Sequence, residues 1–256
     1  MKRPFGQHFL FDPNILKKII RCGGVTREDT VVEIGPGLGT LTKFLSFYAK
    51  KVIAVELDKR LLEKLEGILL PCPNVEIIQA DALKFPYDSI DGKFKVVANI
   101  PYYITTPLLF RLLEFREKIS SMTLLMQKEV AKRITATCKD KEYGVLSISA
   151  QLYTKPELKF TVSRKAFLPP PEVDSAVVHF EVSPSSRFAV RDEELLLRIV
   201  RTAFSQRRKT IMNSLRAFEG VKDALQKAGL DPKLRPENLS IEDFIRLADA
   251  ISFTEK

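Results

Sequence analysis

The segment 31–45 constrains the fold more than any other part of the sequence. It opens with Val31, Val32 and Ile34, a short apolar run rich in β-branched residues that predicts a buried parallel strand. Three glycines follow, at positions 35, 37 and 39, and the apolar residues after them recur at helical spacing. Strand, glycine turn and helix in this order let a ligand lie against bare backbone at a helix N-terminus. The segment therefore predicts an α/β fold with a ligand site at the glycine turn.

The spacing of the glycines and the residue before them indicate which ligand this is. The pattern is G-x-G-x-G, which differs from the G-x-G-x-x-G of dinucleotide binders. Glu33 lies just before the turn, where its negative charge would repel a pyrophosphate. A cationic or neutral ligand fits better. This favours S-adenosylmethionine, which carries an ammonium at its methionine end and a positive sulfonium.

Two further predicted strands are followed by carboxylates. Glu56 lies near the end of the strand predicted at 51–58 and 21 residues after Gly35. This is close to the separation of about 20 at which a carboxylate reaches ribose hydroxyls in nucleotide-binding βαβ units. Asp81 follows the strand predicted at 75–79, and its side chain can accept a hydrogen bond from the exocyclic amine of an adenine. Because ligands of open sheets bind at the carboxyl ends of the strands, the set predicts a nucleoside-containing cofactor.

The next predicted strand, 94–98, leads into Asn99-Ile-Pro-Tyr102, whose residue types suit one chemistry. The nitrogen on C6 of adenine is a poor nucleophile, because its lone pair is delocalised into the ring. The Asn99 side-chain oxygen and the Ile100 carbonyl can both accept hydrogen bonds from that amine, which favours the tetrahedral geometry that accepts a methyl group. Tyr102 offers a face on which the base can stack. The segment predicts methyl transfer to an adenine amine.

A proline-rich loop, 167–175, separates strands predicted at 158–162 and 176–182. Its three consecutive prolines favour an extended, preordered chain. Phe167 either forms the second face of a clamp around a flipped base or fills the core, and the sequence leaves both interpretations open.

Charge and composition favour a polyanionic partner. The net charge is +9 over 256 residues, which is typical of proteins that bind nucleic acid. The segment 183–187, Ser-Pro-Ser-Ser-Arg, marks a predicted boundary between a methyltransferase domain, 1–185, and a helical RNA-binding domain, 186–256. Helices are predicted near 193–205, 207–218, 220–229 and 240–252. The basic residues expected to contact phosphate are Arg201, Arg207, Arg208, Lys209 and Arg216.

The N-terminal residues 1–11 are basic and aromatic together. They form either an arm that packs Phe9 and Leu10 onto the domain or a flap over the cofactor. In the second case Lys2 and Arg3 face phosphate.

Three cysteines without a C-x-x-C spacing predict neither a disulfide framework nor a zinc site, and they suit a reducing compartment. No apolar stretch approaches the length of a membrane span, and the N-terminus lacks the apolar core of a signal peptide. We therefore expect a cytoplasmic protein that does not bind a membrane.

Taken together, these segments resemble the ribosomal RNA adenine N6,N6-dimethyltransferases of the KsgA type over essentially the whole chain. The glycine loop is shared by many methyltransferases, whereas the Asn-Ile-Pro-Tyr box combined with the proline loop and a basic C-terminal helix is far more specific. The matching segments are Gly6–Leu10, Glu33–Gly39, Glu56, Asp81, Asn99–Tyr102, Phe167–Ser175 and Ala203–Thr210.

The resemblance implies a Rossmann-like class I methyltransferase domain, with a mostly parallel seven-stranded sheet and an antiparallel last strand, followed by a small all-α domain. It implies S-adenosylmethionine as cofactor, S-adenosylhomocysteine as product, and no metal. The target adenine would be held by Asn99, Tyr102 and Phe167. The cofactor contacts that it implies are His8, Leu10, Gly35, Gly37, Glu56, Leu57, Asp81, Ala82 and Asn99.

The family dimethylates two adjacent adenines in the hairpin near the 3′ end of small-subunit (16S) rRNA during subunit assembly. The implied partner is the immature 30S subunit, bound by a monomer. Two positions depart from the common pattern: His8, where asparagine is also frequent, and Tyr103, where asparagine is the familiar residue.

Three other functions remain open. The first is a large-subunit rRNA methylase of the macrolide-resistance type, which the proline loop and the basic helix disfavour. The second is an RNA-binding assembly-checkpoint factor whose methylation is incidental. The third, a small-molecule methyltransferase, is disfavoured by the positive charge and the basic helical segment.

Overall fold

The computed structural model describes residues 8–252, and its chain packs into two compact units. Among the described residues, the first unit holds 8–131 and 154–185, and the second holds 132–153 and 186–252. One division follows residue 185, but the second unit also includes 132–153, which the sequence analysis assigned to the first domain. The division into a methyltransferase domain and an RNA-binding domain stays a prediction. The segment 132–153 belongs to the second unit, where the Tyr153 hydroxyl donates a hydrogen bond to the Glu193 carboxylate. The Gln151 amide donates two hydrogen bonds within the segment, to the Ile134 and Ala136 carbonyls.

The strands and helices of the first half of the chain alternate as the sequence predicts. In chain order they are β1 (Phe9–Leu10), α1 (Pro13–Cys22), β2 (Thr30–Ile34), α2 (Thr40–Tyr48), β3 (Lys51–Glu56), α3 (Lys59–Leu69), β4 (Val75–Gln79), β5 (Phe94–Asn99), α4 (Thr105–Glu114) and β6 (Ile119–Gln127). There follow α5 (Lys128–Thr135), α6 (Val145–Tyr153), β7 (Thr154–Val162), β8 (Phe167–Leu168) and β9 (Ser175–Val182).

Seven strands form one sheet in the order β4-β3-β2-β5-β6-β9-β7. Neighbouring strands from β4 to β6 are parallel, while β9 is antiparallel to both β6 and β7. This confirms the predicted class I methyltransferase sheet. Val31, Val32 and Ile34 are at most 1% exposed, as expected for a strand covered on both faces. Because β2, β3, β4 and β5 are parallel, their carboxyl ends meet at one edge and bring the predicted site residues together.

A second sheet of two short strands was not predicted. Phe9 pairs with Leu168 and Leu10 pairs with Phe167, so β1 joins the N-terminal segment to the start of the proline loop. Leu10 is buried in the core of the first unit, which agrees with the packed arm among the two alternatives. Lys2 and Arg3 lie outside the described residues.

The second unit is helical. Besides α6 it contains α7 (Glu193–Ser205), α8 (Ile211–Ser214), α9 (Val221–Lys227) and α10 (Ile241–Ser252). The helix predicted at 207–218 is wrong, since only the four residues of α8 are α-helical there and 206–208 form a turn. Thr210 caps α8 by accepting a hydrogen bond from the Asn213 amide, which starts a new helix inside the predicted one. Over residues 8–252, no helix has the length and apolar composition that crossing a membrane requires.

Candidate active site

A cavity of about 200 Å³ opens at the carboxyl ends of the parallel strands. A single water occupies about 10–15 Å³ on the same measure, so the cavity has room for a ligand of nucleoside size. All the residues predicted to bind the cofactor line it, namely His8, Leu10, Gly35, Gly37, Glu56, Leu57, Asp81, Ala82 and Asn99. Tyr102 and Tyr103 line it as well.

The glycine turn forms one wall of the cavity with exposed backbone. Gly35 and Gly37 have φ angles of +66° and +61°, a region that disfavours other residues. A Cβ atom on Gly37 would lie 2.7 Å from Cε1 of Phe9, whose ring rests on the turn. The absence of side chains therefore lets β1 and a ligand approach the backbone closely.

Glu56, at the end of β3, stabilises the glycine turn through its carboxylate. One oxygen accepts a hydrogen bond from the Gly37 amide at 3.1 Å, and the other accepts one from the Asp58 amide at 2.9 Å. Burial raises the pKa of Glu56, and these backbone hydrogen bonds oppose the shift. A carboxylate has about four lone-pair sites, so two remain for the hydroxyls of a ligand.

Glu33, at the end of β2, is a buried carboxyl group whose Oε2 has no hydrogen-bond partner among the described residues. The pKa of Glu33 is raised to about 8, chiefly by burial; the Thr42 hydroxyl opposes this shift and the charge of Glu56 adds to it. A cationic group in the cavity would supply the missing partner and favour the carboxylate.

The part of the cavity wall formed by the residues after β4 contains the Asp81 carboxylate beside apolar side chains. Oδ1 of Asp81 accepts a hydrogen bond from the Leu83 amide at 2.9 Å, and Oδ2 has no partner within residues 8–252. Leu57 and Ala82 line the cavity beside it. Burial raises the pKa of the Tyr103 phenol, and the charges of Glu56 and Asp81 raise it further, which places this phenol within the electrostatic range of both carboxylates. This wall can hold a base and a ribose.

Asn99, the last residue of β5, lines the cavity with its amide oriented by the N-terminal segment. The side-chain nitrogen donates a hydrogen bond of 3.1 Å to the His8 carbonyl. Because the NH2 group is engaged, Oδ1 is left as an acceptor, and no described residue donates to it. The Ile100 carbonyl likewise accepts no hydrogen bond from residues 8–252. Two acceptors for an amine thus lie next to each other.

Tyr102 follows on a 3₁₀ turn, and its half-buried ring is held at both ends. The hydroxyl shares a hydrogen bond of 2.6 Å with the Ser175 hydroxyl. The His8 ring packs against it with centroids 5.6 Å apart and a 31° tilt, while His8 Nδ1 bonds to the Pro169 carbonyl at 2.8 Å. Sequence reasoning missed the contact with Ser175, although this serine ends the proline-loop motif.

Phe167 does not form the second face of a clamp, which corrects its prediction as a catalytic residue. Its side chain is 2% exposed and packs in the core with Leu10, Leu16 and Val177. The alternation along β8 turns Phe167 inward and leaves Leu168 67% exposed. The structure therefore agrees with the core-filling alternative.

With this geometry described, comparison with known proteins decides between the candidate families. The sequence model of a family described as ribosomal RNA adenine dimethylase matches residues 1–252. The chain belongs to the ribosomal RNA adenine dimethylase family.

Members of the family and solved structures resemble the chain over nearly its full length. A Pelotomaculum thermopropionicum protein named ribosomal RNA small subunit methyltransferase A is 43% identical, and the match covers 97% of this chain and 90% of that protein. A dimethyladenosine transferase from Plasmodium falciparum matches with a TM-score of 0.77 and 31% identity, covering 94% of this chain and 96% of that one. The 23S rRNA methyltransferase ErmE matches with a TM-score of 0.76 and 28% identity, covering 95% and 99%.

Within residues 8–252, the basic residues predicted to bind RNA in this dimethylase fall into two groups. Arg207 donates hydrogen bonds of 3.0 Å from one nitrogen to the carbonyls of Lys141 and Tyr143, so it supports a loop of the second unit. The side chains of the other four are exposed and make no hydrogen bond or ion pair with the described residues; they are Arg201, Arg208, Lys209 and Arg216. These four remain candidates for phosphate contacts.

Proposed function

We propose that this dimethylase transfers methyl groups from S-adenosylmethionine to the N6 amines of two adjacent adenosines in the 3′-terminal hairpin of 16S rRNA. The observation that carries the proposal is the orientation of Asn99. Its NH2 group donates to the His8 carbonyl, so its oxygen can accept a hydrogen bond from an amine in the cavity. The adjacent Ile100 carbonyl provides a second acceptor.

The cavity fits the cofactor. The unpartnered Oε2 of buried Glu33 suits an ammonium group, and the backbone cradle at Gly37 would be filled by a Cβ atom. Glu56 keeps lone pairs for ribose hydroxyls, and Asp81 keeps one oxygen for the amine of an adenine. When bound, S-adenosylmethionine supplies an electrophilic methyl group on its sulfonium.

The residues around the target amine orient it and stabilise the charge that it gains. Asn99 Oδ1 and the Ile100 carbonyl accept hydrogen bonds from the two N–H groups of the adenine amine. These bonds turn the nitrogen lone pair out of the ring plane and towards the methyl donor. Tyr102 stacks on the base, a contact typically worth about 1–3 kcal/mol. The amine becomes acidic only after it has accepted the methyl group, so no general base is needed before transfer.

The proposal that the substrate is small-subunit and not large-subunit rRNA is supported by sequence identity to named relatives more than by structural similarity to solved proteins. The two solved structures, a dimethyladenosine transferase and a 23S rRNA methyltransferase, have nearly equal TM-scores of 0.77 and 0.76. The relatives at 43% identity are named small subunit methyltransferases. We further propose that the partner is the immature 30S subunit, that a cytoplasmic monomer binds it, and that methylation accompanies subunit assembly.

The test is methylation of purified unmodified 30S and 50S subunits with labelled S-adenosylmethionine, followed by mass spectrometry of nuclease fragments. We expect N6,N6-dimethyladenosine at two adjacent positions of the 16S 3′ hairpin. Methylation confined to 23S rRNA would replace the proposal with the large-subunit alternative that ErmE represents.

A variant separates catalysis from a role as an assembly-checkpoint factor. Asn99→Ala should slow methyl transfer by about ten- to a hundredfold, since losing such an acceptor costs about 1–3 kcal/mol. Subunit maturation is then measured in cells that carry this variant as their only copy. Normal maturation with unmethylated rRNA would show that binding, and not methylation, is the primary role.

A further inference from the structure

Hydrogen bonds join three segments that are far apart in the sequence into one hydrogen-bonded network around the target site. The Asn99 amide donates to the His8 carbonyl, and the His8 ring bonds to the Pro169 carbonyl. The proline loop then leads to Ser175, whose hydroxyl bonds to Tyr102, three residues after Asn99. This hydrogen-bonded network connects Asn99 and Tyr102, the two side chains proposed to contact the target base, to the same pair of segments.

Ser175 is the most deeply buried residue of this hydrogen-bonded network. It is 0% exposed and is the first residue of β9. Its backbone pairs with Gln127 of β6 on one side and Val162 of β7 on the other. Because β9 lies between β6 and β7, the backbone that carries the Ser175 hydroxyl is fixed on both sides. Sites built on strands are positioned more precisely than sites built on loops.

Tyr102 has no such support of its own. It lies on a short 3₁₀ turn beyond the end of β5, and its ring is only half buried. An aromatic ring fixed only at its Cβ atom can still turn about χ1 and χ2. The bond of 2.6 Å from its hydroxyl to Ser175 fixes the opposite end, so the ring has a defined plane before a base arrives.

We propose that Ser175 is a positioning residue, which holds the Tyr102 ring in the plane on which the target adenine stacks. This inference rests on the proposed function, and it adds a residue that does not line the cavity. Burial raises the pKa of Tyr102, so the phenol keeps its proton and the hydrogen bond persists at neutral pH. The fixed ring aligns the adenine amine with the acceptors at Asn99 and Ile100.

A double-mutant cycle tests the proposal. Ser175→Ala and Tyr102→Phe each remove one partner of the bond, and both keep the Tyr102 ring. We expect each to lower the single-turnover methylation rate on 30S subunits about five- to tenfold, with unchanged affinity for S-adenosylmethionine. The double variant should be no slower than either single variant, because both remove the same bond.

Two further variants separate positioning from general structural support. Ser175→Thr keeps the hydroxyl and should hold the rate within about twofold of the wild-type value. Ser46→Ala removes another buried serine hydrogen bond of the first unit, away from the cavity, and should leave the rate unchanged. Thermal unfolding of every variant shows whether the protein has folded.

The inference fails if Ser175→Ala methylates at the wild-type rate, or if the losses of the two single variants multiply in the double variant. It also fails if the rate falls only in proportion to folded protein or to cofactor affinity. The proposed function fails separately, if the wild-type protein methylates no adenosine of the 30S subunit.

Discussion

The two buried carboxyl groups beside the glycine turn differ in how their charge is compensated. Glu56 accepts hydrogen bonds from two backbone amides, whereas Oε2 of Glu33 has no partner among the described residues. Burial raises the pKa of Glu33 from an ordinary value of 4.5 to about 8. Burial of Glu33 therefore destabilises the fold wherever this residue loses its proton, and a cation bound beside it would relieve this cost.

The stability of the ligand-free protein should consequently fall as the pH rises. Between pH 4.5 and about 8 the folded protein keeps a proton on Glu33 that the unfolded chain has lost, so the free energy of unfolding decreases through this window. Glu33→Gln has no carboxyl group to titrate, so its free energy of unfolding should not fall in this way. Above pH 8 that free energy should be about 3–5 kcal/mol higher than the wild-type value, and near pH 5 the two values should be similar. Denaturant unfolding at several pH values measures this difference.

Glu63→Gln on the exposed side of α3 is the matched control, and its stability should follow that of the wild type at every pH. A constant difference between Glu33→Gln and the wild type from pH 5 to 9 would contradict the account. Saturating S-adenosylmethionine should reduce the difference, because its ammonium compensates the wild-type carboxylate.

At the scale of secondary-structure elements, β1 brings the N-terminal segment onto the glycine turn. The Phe9 ring occupies the space where Gly37 has no Cβ atom, so any larger residue at this position must displace the ring. Since Phe9 lines the cavity, that displacement changes the shape of the proposed cofactor site.

Gly37→Ala should therefore weaken cofactor binding about tenfold or more. Its control is Gly92→Ala, which has a similar φ of +70° but no atom within 4 Å of the added Cβ. Both variants carry the left-handed backbone cost of about 1–2 kcal/mol in stability. Calorimetry with S-adenosylmethionine should show the loss of affinity for Gly37→Ala alone, and equal affinities would show that β1 does not shape the site.

Sequence patterns predict those elements whose signal is local. The apolar runs of β2, β3 and β5 form strands as predicted, because buried parallel strands need continuous apolar residues. Glu56 and Asn99 end two of these strands, and their binding roles stay predictions. The pairing of β1 with β8 joins residues more than 150 positions apart, and two-residue strands carry no periodic pattern. The sequence left the burial of Phe167 open between two alternatives, and the structure shows this residue buried and paired with Leu10. The bond from Tyr102 to Ser175 could not be predicted, because it joins residues that are 73 positions apart in the sequence.

The turn that ends α7 depends on Arg207, whose guanidinium holds the loop at Lys141 and Tyr143. Arg207→Ala should lower the free energy of unfolding by about 1–3 kcal/mol, because two carbonyls lose a charged donor. Arg208→Ala removes a neighbouring exposed arginine without such bonds and should change stability by less than about 0.5 kcal/mol. Thermal unfolding compares the two, and equal midpoints would contradict a structural role for Arg207.

For the molecule as a whole, the net charge of +9 predicts that phosphate contacts dominate its affinity for ribosomal subunits. The exposed cations Arg208 and Lys209 are the clearest candidates for such contacts. Replacing both with alanine should weaken 30S binding and lower the slope of log affinity against log salt by about 2, since each lost phosphate contact removes about 1.

The control for this measurement is Lys64→Ala on the exposed side of α3, which should leave the slope unchanged. Cofactor affinity should be the same in all three proteins. An unchanged slope for the double variant would show that the phosphate-binding surface lies elsewhere on the molecule.

The most direct test of the account is a crystal structure of the protein with S-adenosylhomocysteine and adenosine monophosphate. We expect the adenine N6 atom to lie within hydrogen-bond distance of Asn99 Oδ1 and the Ile100 carbonyl, with the base stacked on Tyr102. A complex in which Asn99 is turned away from the base, with the purine bound elsewhere, would contradict it.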